Sequence, residues 1–149
     1  MKKLLKYIVI FVFSGLVYIL LELLYRQRTD VTMFLLAGMC GLIFASLNNI
    51  YTYELDFSIQ VFISTIAITI GEYIFGVLFN ADYHIWDYRN LKYNINGFIS
   101  LEFILVWVII AIFGIPLLDY IEWRHFDYKK DTPPYYKVFG KQIFQFKLK

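Results

Sequence analysis

The chain is poor in cysteine, histidine and charge. Its single cysteine, Cys40, lies inside an apolar run, so no internal disulfide can form and the residue says nothing about redox compartment. The two histidines, His84 and His125, cannot supply a zinc cluster with one thiol, so neither a metal nor another cofactor is expected. Charged residues make up 17% of the 149 residues, and the net charge of +2 is too small to imply a nucleic-acid partner. With 8 Gly and 3 Pro the chain is neither fibrous nor low in complexity. There is no G-x-x-x-x-G-K-[ST] phosphate loop, no D-D-x-x-D metal motif and no Ser/His/Asp set, and hence no recognisable catalytic motif.

Apolar residues, by contrast, reach 60%, with 15 Phe, 13 Tyr and 3 Trp. A soluble core of this size could not hide them, and the solvent they suit is a bilayer. Four apolar runs stand out: residues 7–25, 31–47, 57–79 and 95–118. A spanning helix needs ~17–25 such residues, and all four qualify. Membrane strands would alternate polar and apolar residues, whereas these runs are continuous. The expected fold is all-α: a four-helix transmembrane domain over residues 1–119, an interfacial loop between the third and fourth helices, and a basic, aromatic tail over residues 120–149. The start, with Lys2, Lys3 and Lys6 before an apolar run, resembles a signal peptide. No small-x-small cleavage site follows it, so it reads as an uncleaved first helix.

Positive charge sets the orientation. Four spans put the N-terminus, the second loop and the tail on one side. That side carries ten of the fourteen Lys and Arg residues: Lys2, Lys3, Lys6, Arg124, Lys129, Lys130, Lys137, Lys141, Lys147 and Lys149. Arg26, Arg28, Arg89 and Lys92 lie opposite. Both termini are therefore expected in the cytoplasm, in a multi-pass protein of the cell membrane. The tail mixes Lys with Trp123, Tyr128, Tyr135 and Tyr136, residues that suit the headgroup layer. It reads either as a surface-lying basic segment or as a docking site for a partner.

Acids within a span are expensive, by ~2.5–3.5 kcal/mol for Asp on insertion scales, so Glu22, Glu72 and Glu102 call for explanation. Glu22 stands four residues before Arg26, the favoured order for a helix ion pair. Glu72 has no cation on its own helix and needs a partner from another helix, a proton, or a polar cavity. Helical spacing gathers Ser14, Gly15, Tyr18 and Glu22 on one face, Gly38, Gly41, Ala45 and Asn48 on a second, and Thr65, Thr69, Glu72 and Gly76 on a third. Small and polar faces of this kind suit close helix contact. Glu102 shares its face with apolar residues and lies nearer the interface.

The third loop is dense in aromatic and polar groups. Trp86, Asp87 and Tyr88, with Asn94 and Asn96, can form an aromatic belt with a cap for the fourth helix, or a ligand-contacting lid over the acids. The candidate binding cluster is Glu72, Glu22, Trp86, Asp87, Tyr88, Asn94 and Asn96.

The order Glu72-Tyr73, Trp86-Asp87-Tyr88, Asn94-Ile95-Asn96-Gly97 and Trp107 resembles the CmpB-like family labelled putative ABC-transporter. Upstream, Glu22-Leu23-Leu24-Tyr25-Arg26, Arg28-Thr29, Thr32-Met33 and Gly38 resemble its short members. The resemblance covers residues ~15 to 125, and its most specific block is the W-D-Y to N-x-x-G stretch. Arg89 stands where the family usually has Ser, and Glu102 where short members have a small or imino residue. The resemblance implies a permease-like subunit driven by a separate ATPase, and four helices alone would call for a homo-oligomer or partner subunits. Two other functions fit the residues. One is a structural or signalling membrane protein whose tail binds a regulator. The other is a membrane enzyme on a lipid-type substrate, with Glu72, Asp87 and His84 as acid/base groups.

Overall fold

The computed structural model describes residues 2–126 and 131–147. Tyr128, Lys129, Lys130 and Lys149, counted above with the tail and the positive charge, lie outside the described residues. Four long helices dominate: α1 (Lys2–Arg26), α2 (Val31–Ile50), α3 (Phe57–Phe79) and α4 (Leu101–His125). All four are long and apolar enough to cross a membrane. Two small antiparallel hairpins complete the described chain, β1 (Asn94–Ile95) with β2 (Ile99–Ser100), and β3 (Tyr135–Val138) with β4 (Lys141–Gln145).

Each later helix starts at a side-chain cap. Asp30 Oδ1 accepts from Thr32 N at 2.8 Å, Asp56 Oδ1 from Ser58 N at 2.9 Å, and Ser100 Oγ from Phe103 N at 3.4 Å. Such caps satisfy backbone donors that the first turn leaves unpaired. Hydrogen bonds from the Thr32 and Ser58 side chains, with these backbone bonds adding to them, hold the Asp30 and Asp56 carboxyls below the usual range.

α1 lies along α2, and α2 also meets α3 and α4. Small residues permit the first of these contacts. A Cβ added at Gly41 would lie 2.0 Å from Ser14 Oγ, so the two helices are as close as glycine allows. The stripe of Gly38, Gly41, Ala45 and Asn48 is buried throughout. Facing it, Gly15 and Glu22 are buried while Ser14 and Tyr18 are half-buried.

The fourth helix differs from the apolar run that announces it. It begins at Leu101, not Ile95, and continues through Pro116 to His125. Residues Asn94 to Ser100 form a hairpin instead. Asn96 and Gly97 both take left-handed conformations, at φ 52° and 69°, and Phe98 N bonds Ile95 O at 3.1 Å. That is the turn an Asn-Gly pair favours, and here it overrides the apolar run around it. Ser100, not Asn94 or Asn96, therefore caps α4. Glu102 falls in the exposed first turn, where a carboxylate complements the helix dipole.

The described part of the tail is structured. Residues 120–125 extend α4, and after the gap in the described chain the hairpin β3–β4 folds back onto the bundle. Its turn, Phe139-Gly140, again has two positive φ angles, 49° and 75°.

Candidate functional site

Two buried polar clusters lie at opposite ends of the bundle. The first is built around Glu72, in the second half of α3 and fully enclosed. Tyr88 OH donates to its Oε1 at 3.0 Å, and Trp107 Nε1 donates to its Oε2 at 2.9 Å. Glu72 thus ties α3 to the third loop and to α4. Trp107 in turn stacks on Tyr18 of α1, with ring centroids 5.8 Å apart. A carboxylate met by two donors is a satisfied buried group. Thr65 and Thr69, on the same stripe, bond back to the carbonyls of Val61 and Thr65 in their own helix, at 2.9 and 2.8 Å.

Glu22 is buried nearby at the end of α1. It pairs with Arg26 and accepts from Thr29 Oγ1 at 2.5 Å. Arg26 then reaches across to the third loop, donating through Nη1 to Ile85 O at 2.8 Å. The helix ion pair read from the spacing is therefore also a clasp between the first and third loops.

The third loop is a packed structure. Asn80 binds its start, donating to Trp86 O at 2.6 Å and accepting from Ile85 N at 2.8 Å. Trp86 is buried and donates through Nε1 to Phe98 O at 2.8 Å. Tyr88 is buried and stacked on Phe103, with centroids 4.3 Å apart. Burial raises its hydroxyl pKa above the usual range, and the nearby Glu72 charge adds to the effect. Asn94 shapes the turn, donating to Leu91 O at 2.7 Å and accepting from Gly97 N at 2.9 Å. Asn96 is exposed and donates to Tyr73 OH at 3.0 Å.

Asp87 and His84 are not part of the buried group. Asp87 faces outward in a bidentate pair with Arg89, at 2.9 and 2.8 Å. Hydrogen bonds from Arg89 hold its carboxyl down at about 2. His84 is exposed and bonded to Asp82. Of the candidate cluster, the structure joins Glu72 directly to Tyr88 and sets Trp86 beside it in the same loop. Glu22 is linked through Arg26, Asn94 and Asn96 build the hairpin, and Asp87 turns away.

The second cluster was not singled out from the sequence. At the end of the bundle that carries the N-terminus of α1, Lys6 Nζ lies 3.0 Å from Glu122 Oε1, both side chains buried. Beside them, Asn48 Nδ2 donates to Asp119 Oδ2 at 2.6 Å and to Gln60 Oε1 at 3.0 Å. Tyr136, from the folded-back hairpin, donates to Asp119 Oδ2 at 2.7 Å. All four helices and the hairpin contribute. Burial lifts the Tyr136 hydroxyl pKa well above its usual value, with the Asp119 charge adding to it. At the rim, Glu54 accepts from Tyr135 and pairs with Lys137 at 2.6 Å, which lowers its carboxyl below the usual range. The available signal was an Asp and a Glu three residues apart near the end of the fourth helix, opposite an Asn pair at the end of the second. Reading the segment from Tyr120 onward as tail hid it. Among the described residues, no group of His, Cys, Asp and Glu is arranged to hold a metal ion.

The family described as Putative ABC-transporter type IV matches residues 6–139, nearly the whole chain. The chain belongs to that family. The match takes in all four helices, the Glu72 cluster, the third loop and strand β3 of the tail hairpin. No curated protein and no solved structure matches the chain.

Proposed function

We propose that this family member is a non-enzymatic, transport-related membrane subunit, permease-like, that works with an ATPase supplied by another chain. The observation that carries the reading is a family match across all four candidate spans in a sequence without a phosphate-binding loop. The enclosure of Glu72 by Tyr88 and Trp107 supports a further point: a solute path would form between copies or subunits, and not through one chain. The ten cations on the side of the termini support an orientation with both termini in the cytoplasm.

A structural or signalling role through the tail is the second reading. It is favoured by the exposed apolar side chains of the hairpin, Phe139, Ile143 and Phe144. An enzymatic role has less support, because His84 and Asp87 are engaged in local exposed pairs away from Glu72. Purification of the full chain in mild detergent tests these alternatives. A co-purifying ATPase is expected. A soluble regulator without an ATPase would favour the second reading and overturn the first.

A further inference from the structure

Between α1, α2 and α4, about midway along α1 and α4, lies a slot with a cavity volume of about 100 Å³. Its floor is formed by Met33, Leu36, Phe44, Ile68, Trp107 and Leu118, all buried. Its mouth is formed by Val17, Leu21 and Leu117, all exposed. The slot exists because α1 packs along α2 and stands off from α4. Two pairs bridge α1 to α4 at different depths: the Tyr18–Trp107 stack and the Lys6–Glu122 ion pair. A few polar atoms reach it, from Ser14, Tyr18 and Cys40, but the lining is otherwise hydrocarbon.

We propose that this slot binds one acyl chain of a bilayer phospholipid. A cavity with these walls gives water too few partners to be filled by it. Left empty, its lining would forfeit dispersion contacts that the dense surroundings supply elsewhere. On α4 the lining runs from Trp107 to Leu118, roughly 16 Å at the helical rise of 1.5 Å per residue. That is about half of the ~30 Å hydrocarbon core, so the slot lies where chains are and headgroups are not. The mouth faces the bilayer, and a linear chain can enter sideways without desolvating any charge. The inference goes beyond the transport reading and does not depend on it.

The test uses the full chain reconstituted with a trace of phosphatidylcholine carrying a photoactivatable group midway along one acyl chain. After illumination, peptides are mapped by mass spectrometry. Adducts are expected to concentrate on residues 17–21, 33–40 and 114–118. Ala37 lines the slot and is half-buried, so Ala37→Phe fills it. Excluding about two methylene groups should lower the slot adducts about tenfold. Leu105→Phe adds bulk on a lipid-exposed face outside the slot and should leave them unchanged. Adducts spread evenly around the bundle would overturn the proposal, as would slot adducts indifferent to Ala37→Phe. Slot adducts displaced by an added polyprenyl phosphate but not by excess phosphatidylcholine would overturn it too, by assigning a different chain. The wild-type map stands by itself should Ala37→Phe fail to fold.

Discussion

Tyr136 OH donates to Asp119 Oδ2 at 2.7 Å, joining a hairpin of the tail to the end of the fourth helix across 17 residues of sequence. The ring is 2% exposed, and Phe57 lies against it with centroids 5.0 Å apart. The tail is therefore part of the bundle and closes the polar end of the core. Tyr136→Phe keeps the ring packing and removes only the donor. Asp119 Oδ2 keeps its bond from Asn48 Nδ2 at 2.6 Å, so the loss is that of one buried hydrogen bond to a carboxylate, about 1.5–3 kcal/mol. We expect a lower melting temperature in detergent and faster amide exchange in residues 135–145, with the exchange of α3 little changed.

Glu72 allows a sharper comparison. Glu72→Gln retains an acceptor for one of Tyr88 and Trp107 and sets its amide against the other. Glu72→Leu strands both donors in an apolar surround, a loss of about 1–3 kcal/mol for each buried group. Leu should thus destabilise the fold clearly more than Gln, measured by thermal unfolding in detergent. Equal melting temperatures for the two variants would show that the bonds carry little of the stability. If both fold and both lose the cellular activity, the carboxylate has a functional role beyond structure.

The third loop predicts a pH dependence. The Asp87 carboxyl is held down at about 2 by Arg89, against ~3.9 for a free side chain. A depressed folded-state pKa gives stability that is present above the unfolded value and is lost as pH falls through the folded one. Whatever this exposed pair contributes is therefore present above about pH 3.9 and disappears toward about pH 2. Arg89→Ser, which removes the guanidinium, should move the Asp87 titration up toward its free value. An NMR titration of the side-chain carboxyl checks this, and an unmoved midpoint would mean that Arg89 is not the cause.

Orientation is tested by cysteine labelling with a membrane-impermeant reagent. Tyr53 is 2% exposed and is a poor probe, so Tyr51, 54% exposed in the second loop, is the better site. With both termini in the cytoplasm, Tyr51→Cys should label only after permeabilisation, and Asn90→Cys, exposed in the third loop, should label in intact cells. The reverse pattern would invert the protein without altering its four helices.

Much of this protein was written in its sequence. The continuous apolar runs determined four helices, because a backbone in hydrocarbon must satisfy its own hydrogen bonds, and a helix of this length does so. The spacing of Glu22 and Arg26 gave their pair, and the lack of a cation near Glu72 foretold partners from elsewhere. Local chemistry also held what the apolar run obscured, since Asn96-Gly97 turns the chain back and postpones α4 to Leu101. Only the tertiary structure decided which neutral donors meet Glu72, that Asp87 faces Arg89 and not the bundle, and that Lys6 meets Glu122 across the whole chain. Those partners come from elements distant in sequence, and helix packing, set by glycine contacts such as Gly41 on Ser14, fixes which side chains come within bonding distance. Periodicity names the face a residue occupies; the neighbour opposite that face depends on how the helices are arranged.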